Sequence, residues 1–287
     1  MKNNYFFNFI KRLLLSRFLI DIVNLVLVRI LRLKGVLDAS YRKSGKFVYI
    51  KKNDLFITSY PKSGNTWLRL IVANLYFKNV NYNNIEELVP EIYQTNESKF
   101  INNKLRIFKC HDYYDHRFRR AIYIVRDPRE VIVSSYFFAI KIGVINKKYS
   151  KRKFVKDFLN GKFNSNFGTW NQHVGSWHVA KDQNILFIRY EDLRKRPGRE
   201  IFKIAKFLKK RMNSKKISKI IRKTSFENLQ GQEDKERVNW VSLPNNESKI
   251  KFFRSGKINS WKKFLIKKEV KKIEKMWGKN MKIFGYK

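Results

Sequence analysis

The stretch from Phe56 to Trp67, FITSYPKSGNTW, constrains the fold more than any other. Phe56, Ile57 and Thr58 suit a buried strand, and Pro61 and Gly64 break it. From Thr66 onward Trp67, Leu68, Leu70, Ile71 and Leu75 recur at helical spacing. Lys62 to Asn65 therefore fall at a helix N-terminus. Free backbone N–H groups and the positive end of the helix dipole point outward there, and Lys62 adds a full charge. An anion site and a plain strand-turn-helix connection account for this stretch equally well.

The rest of the chain has to decide between them. Its 287 residues fit one large α/β domain or two small ones, and 43% hydrophobic with 15% aromatic residues excludes global disorder. A formal net charge of +41, from 64 Lys+Arg against 23 Asp+Glu, points to anionic surroundings: nucleotide, nucleic acid, anionic lipid or acidic glycan. The single cysteine, Cys110, cannot form an intramolecular disulfide and fits a reducing, cytoplasmic compartment.

Residues 1–50 read as an N-terminal helical segment and connector, and 51–287 as the main domain. From Phe18 to Leu33, Leu19, Ile20, Ile22, Val23, Val26, Leu27, Ile30 and Leu31 fall on one half of a helical wheel, opposite Asp21, Asn24, Arg29 and Arg32. Charges interrupt this region before the roughly 20 apolar residues a membrane span needs. A basic amphipathic helix of this kind suits peripheral attachment to an anionic membrane surface, or docking on the protein's own core.

Beyond the opening unit, Asn79 to Lys104 reads as surface loop with one short helix. Leu105 to Lys109, Ala121 to Val125 and Ile185 to Tyr190 suit buried strands. Pro128–Phe138, Phe154–Leu159, Asn166–Ala180 and Pro197–Leu208 suit helices, Lys235 to Gly256 a long loop, and Trp261 to Lys287 a closing helix. Strands alternating with helices predict a single α/β domain with a central parallel sheet, its ligands at the C-terminal strand ends. Lys62 follows the first strand, His111 follows the second in Lys109-Cys110-His111, and Arg126 follows the third.

These segments resemble the sulfotransferases that use 3′-phosphoadenosine 5′-phosphosulfate (PAPS). YPKSGNTW is similar to that family's 5′-phosphosulfate loop and IVRDPREVIVSSYFF to its 3′-phosphate motif. RYEDL and FFRSGKINSWKKF are similar to two further signatures, all in the family's order from about Phe56 to about Leu265. The resemblance implies a P-loop-like sulfotransferase fold with PAPS as co-substrate. It implies that Lys62 contacts the 5′-phosphate and the leaving oxygen, with the N–H groups of Ser63, Gly64, Asn65 and Thr66 around that phosphate and Trp67 on the adenine. It places Arg126, Ser134, Arg254 and the Ser255–Gly256 backbone, with Phe253 beside them, at the 3′-phosphate. Tyr190, Thr224, Ser225 and Phe226 become the remaining adenine contacts. His111 matches the general base, and Lys109 the residue that stabilises the transferring group. Asn65 stands where many members have threonine, and Asn259 where a glycine is expected.

Sulfuryl transfer spreads negative charge over oxygens, so positioned cations suit it, and a histidine near its ordinary pKa of about 6.5 suits removal of a hydroxyl proton. No metal is required or signalled; His173 and His178, five apart, do not share a helical face. His116, among Asp115 and several arginines, reads as surface. The expected acceptor is a small molecule carrying a hydroxyl, ahead of an amine. Tyr113 and Tyr114 point to a lipid-like or other hydrophobic one, while Asp112 keeps a carbohydrate open.

Two other classes compete. A P-loop kinase or NTPase would want the lysine after the glycine, and a magnesium-binding acid such as Asp127 or Asp112. A non-catalytic basic binder of membrane or nucleic acid fits the charge, yet gives no reason for Lys62, Lys109, His111 and Arg126 to share a sheet edge; specific nucleic-acid recognition is not expected. Oligomeric state is not legible.

Overall fold

The structure is a computed structural model that describes residues 48, 50–95, 105–163, 167–180, 184–236 and 250–287. The N-terminal helix read from Phe18 to Leu33 and positions 237–249 of the expected long loop lie outside the described residues. The chain divides into two units, 50–91 with 102–287, and 1–49 with 92–101. Of the smaller, the described part is Val48, the 3-10 turn Ile92–Gln94 and Thr95. All that follows concerns the larger.

Four parallel strands form its sheet: β1 (Leu55–Thr58), β2 (Ile107–Cys110), β3 (Arg120–Val125) and β4 (Asn184–Arg189), in the order β2-β1-β3-β4. The expected parallel α/β architecture is what the structure has. Leu55 pairs with Ile107 and Thr58 with Cys110 on one side of β1, and Thr58 with Tyr123 on the other. Because the chain leaves β1 first to one side and then to the other, the C-terminal end of β1 is the switch point where parallel sheets open a crevice.

Strand alternation gives the sheet two unlike faces. Leu55, Ile57, Ile122, Ile124 and Ile188 join an aliphatic core with Leu68, Ile71 and Val72 of helix α1 (Asn65–Tyr76). The other face is aromatic. The Phe56 ring lies 4.2 Å from Phe118 and 5.8 Å from Phe108, Phe118 stacks on Trp177 at 5.9 Å, and Tyr123 meets Trp177 at 5.4 Å.

The other helices follow in chain order. They are the short α2 (Ile85–Leu88), α3 (Pro128–Lys141), α4 (Lys151–Leu159), α5 (Trp170–His178), α6 (Tyr190–Lys195) and α7 (Pro197–Phe207). After them come α8 (Ser214–Lys223), α9 (Phe226–Glu236), α10 (Trp261–Phe264) and α11 (Lys267–Ile283). Three differences from the sequence reading have local causes. Tyr190 opens α6 instead of closing β4. The closing segment is broken after Phe264, and Glu269 returns its carboxylate to the Ile266 N–H to start α11 afresh. Helices α8 and α9 were not anticipated; α8 carries lysine and arginine around a narrow isoleucine stripe, with Ile220 buried.

Phe56 is fully buried between two rings. Phe56→Ala is expected to lower the unfolding free energy by about 3–5 kcal/mol, read from the shift of a denaturant midpoint.

Candidate active site

The turn after β1 is built on two left-handed residues, Lys62 at φ +66° and Gly64 at φ +100°. Gly64 is required twice over, since a Cβ there would also lie 2.7 Å from the Tyr190 ring. The Ser63 N–H donates to the Tyr60 carbonyl at 3.2 Å and closes the turn. The Ser63 amide, expected in the phosphate cradle, is engaged within the turn in this structure. Asn65 and Thr66, in the first turn of α1, carry N–H groups that the helical ladder does not use. The Asn65 side chain donates to the Ile57 carbonyl and to Ser59 Oγ, both at 3.3 Å, tying the helix start back to β1.

Lys62 reaches over two rings, its Nζ 3.7 Å from the centroid of Phe138 and 4.5 Å from that of Phe252. Burial, and then the charges of Arg126, Lys109 and Lys141, bring its ammonium pKa down to about 7.

At the end of β2, Lys109 Nζ stands 3.0 Å from Glu91 Oε1, and the Lys109 N–H donates to the Pro90 carbonyl at 2.9 Å. His111 Nδ1 lies 2.7 Å from the Ser59 carbonyl. A carbonyl can only accept, so Nδ1 carries the proton and the neutral ring has its lone pair on Nε2. Burial, reinforced by Lys109, holds the His111 pKa well below the ordinary histidine value.

Helix α5 fixes the backbone at these strand ends. Its Trp170 indole donates to the Arg126 carbonyl at 3.2 Å, Trp177 to that of Asp112 at 2.9 Å, and His173 Nε2 to that of His111 at 2.9 Å. The second His173 nitrogen meets Tyr123 Oη at 2.8 Å. Both its nitrogens thus serve packing.

After β3, Arg126 Nη1 donates to the Lys62 carbonyl at 3.2 Å, and its guanidinium lies 4.2 Å over the Tyr190 ring. Its carboxylate neighbour is Glu130, at 3.6 Å. Asp127 is turned away, capping α3 through the Arg129 N–H and pairing with the Arg129 guanidinium at 2.7 Å, so it is engaged in the fold and not poised as a free acid. Arg254 sits 4.2 Å over Phe137, its pKa lowered by burial and by Arg126.

Lys62, Lys109, His111 and Arg126 line one cavity of about 360 Å³. Gly64, Asn65, Thr66 and Trp67 join them from the turn and α1, Ser134 from α3 and Tyr190 from α6. Phe226, Phe253, Arg254, Ser255 and Gly256 complete that wall. Trp67 meets Tyr190 edge-on at 5.6 Å. Ser63, Thr224 and Ser225 are off the wall. The Thr224 carbonyl accepts from the Trp67 indole at 2.8 Å, and Ser225 Oγ accepts from the Asn228 N–H at 3.1 Å, so these two support the site's edge. Asn259 has φ +63°, a left-handed conformation that glycine adopts freely and asparagine more readily than other side chains.

Sequence reasoning missed Glu91, Phe138, Phe167, Arg194, Leu229 and Phe252, which also line the cavity. Phe138 sits one helical turn beyond Ser134 on α3 and could have been found by periodicity; Glu91 and Phe167 lie in segments without a pattern.

A family model described as "Sulfotransferase domain" matches residues 52–285. Sulfotransferase 1B1 of Canis lupus familiaris is 30% identical over 255 residues, covering 80% of this chain and 84% of that protein. Amine sulfotransferase of Oryctolagus cuniculus is 28% identical over 257 residues, covering 83% and 84%. The crystal structure of mouse sulfotransferase SULT7A1 complexed with PAP superposes with a TM-score of 0.67 at 25% identity, over 85% of this chain and 88% of that one. With the family model spanning residues 52–285, this protein belongs to the sulfotransferase family.

Proposed function

We propose that the chain transfers a sulfuryl group from PAPS to the hydroxyl of a small acceptor. The observation that carries this reading is the assembly of Lys62, Lys109, His111 and Arg126 on one cavity, with the basic histidine nitrogen set by the Ser59 carbonyl. The protein residues fit a polyanionic donor. Lys62 and Arg254 have depressed pKa values partly because Arg126 is close to both. Among the described residues, Arg126 Nε, on the cavity wall, is buried without a hydrogen-bond partner. An entering phosphate would relieve both conditions. The solved mouse relative complexed with PAP supports the same ligand class.

In this reading the Asn65 and Thr66 amides and the Lys62 ammonium hold the 5′-phosphate, and Arg126, Ser134 and Arg254 hold the 3′-phosphate. His111 Nε2 takes the acceptor proton as the acceptor oxygen bonds to sulfur in line with the departing oxygen. Lys109 faces the charge on the moving group. Lys62 stabilises the bridging oxygen as its bond to sulfur breaks, so that sulfated acceptor and 3′-phosphoadenosine 5′-phosphate (PAP) result. Phe138, Phe167 and Phe252 make the wall apolar, which favours a hydrophobic alcohol or phenol.

Incubation with radiolabelled PAPS and a panel of phenols, lipid alcohols, amines and sugars tests the reading. Transfer by the wild type is expected to fall by about 100-fold or more in His111→Ala. Calorimetry that finds no PAP binding to the wild type would overturn the assignment.

The pKa directions yield two further expectations. Burial and the neighbouring cations lower the Lys62 pKa to about 7 in the free protein, and a bound phosphate would raise it. PAP binding at pH 8 should therefore take up protons, measured as a dependence of the binding enthalpy on buffer ionisation heat. His111 must be neutral to act, so the acidic limb of kcat/KM should lie below pH 6.5. Lys109→Ala removes a charge that lowers the His111 pKa, and should move that limb to higher pH whatever it does to the rate.

A further inference from the structure

Residues 250–256 bring Phe252, Arg254, Ser255 and Gly256 to the cavity, yet they belong to no helix or strand. Side chains on α9 and α3 hold them. The Glu233 carboxylate accepts from the Phe252 N–H at 2.5 Å through Oε1 and from the Phe253 N–H at 3.0 Å through Oε2. One turn earlier on α9, Gln230 Nε2 donates to the Phe253 carbonyl at 2.6 Å and to that of Arg254 at 3.4 Å. Lys141, the last residue of α3, donates to the Ile250 carbonyl at 2.6 Å and stands 3.8 Å from Glu233 Oε1.

A carboxylate that takes two consecutive backbone N–H groups forms charge-assisted bonds, stronger and more directional than a neutral pair. Its own charge is balanced by Lys141, so its partial burial is tolerated. The segment it grips leads directly into Arg254, which stacks on Phe137, and carries the Phe252 ring that lies against Lys62. Gly256 follows at φ +56°, so close to Phe226 of the same helix α9 that a Cβ would come within 2.6 Å of the ring.

We infer that Glu233 is a positioning residue for the donor site: by clamping the backbone of Phe252 and Phe253 to α9, it sets Arg254, Ser255 and Gly256 toward Arg126 and seats Phe252 against Lys62. It does so without touching the ligand. This rests on the reading of the cavity as a PAPS site.

The test is calorimetric binding of PAP to the full chain and to Glu233→Ala, Glu233→Gln, Arg254→Ala and the Glu233→Ala/Arg254→Ala double variant. Glu233→Ala is expected to weaken PAP about tenfold or more, and the nearly isosteric Glu233→Gln less, because its amide keeps one acceptor oxygen. If Glu233 acts through the segment that carries Arg254, the double variant loses clearly less than the product of the two single losses. Wild-type affinity in Glu233→Ala, or losses that simply multiply, would overturn the inference. A wild type that does not bind PAP is a different failure and removes the donor reading itself.

Discussion

The pairing of β1 with β2 on one side and β3 on the other is the constraint on which the rest of the structure depends. Thr58 sits level with Cys110 and with Tyr123, so the residues that leave the three strands emerge together. A slip of one residue in the β1–β2 ladder would set Ile107 on the opposite face from Leu55 and Ile57 and carry His111 away from the Ser59 carbonyl. Burial on both faces makes that slip costly, because the aliphatic set and the Phe56–Phe118–Trp177 stack cannot exchange places. The same packing that stabilises the sheet therefore sets the tautomer of the histidine.

Around that junction the protein accumulates positive charge faster than it neutralises it. Glu130 stands near Arg126 and Glu91 near Lys109, but Lys62 lies between aromatic rings and Arg254 stacks on another. The depressed pKa of Lys62 records its burial and, after that, the resulting repulsion. A site of this kind is poised for an anion, and the apolar surroundings strengthen each charge by excluding water. The carbonyls that would otherwise weaken the effect are occupied: α5 takes those of His111, Asp112 and Arg126 with ring N–H groups. An aromatic helix thus serves both core and site, which is why His173, read from the sequence only as an unsuited metal ligand, turns out to be a structural hinge pin between Tyr123 and His111.

Much of the site was legible because its residues sit at the ends of strongly patterned elements. FITSYPKSGNTW announces strand, turn and helix, and the β-branched runs before His111 and Arg126 announce two more strand ends, so local chemistry and topology together place Lys62, Lys109, His111 and Arg126 at one edge. Thr224 and Ser225 belong to a motif recognised as a whole. The tertiary structure places both off the cavity wall, with the Thr224 carbonyl accepting from the Trp67 indole.

What the sequence determined by itself is what short-range rules govern: the alternation of strands and helices, the phosphate-competent turn and the residues that end each strand. The tertiary structure decided how those residues meet. Glu91 reaches Lys109 across a patternless loop, and Glu233 grips a segment about twenty residues further along the chain. None of these partners shares a helix face or a strand face in the sequence. Their contacts depend on long-range closure and on which charges burial forces together, and no local pattern records either.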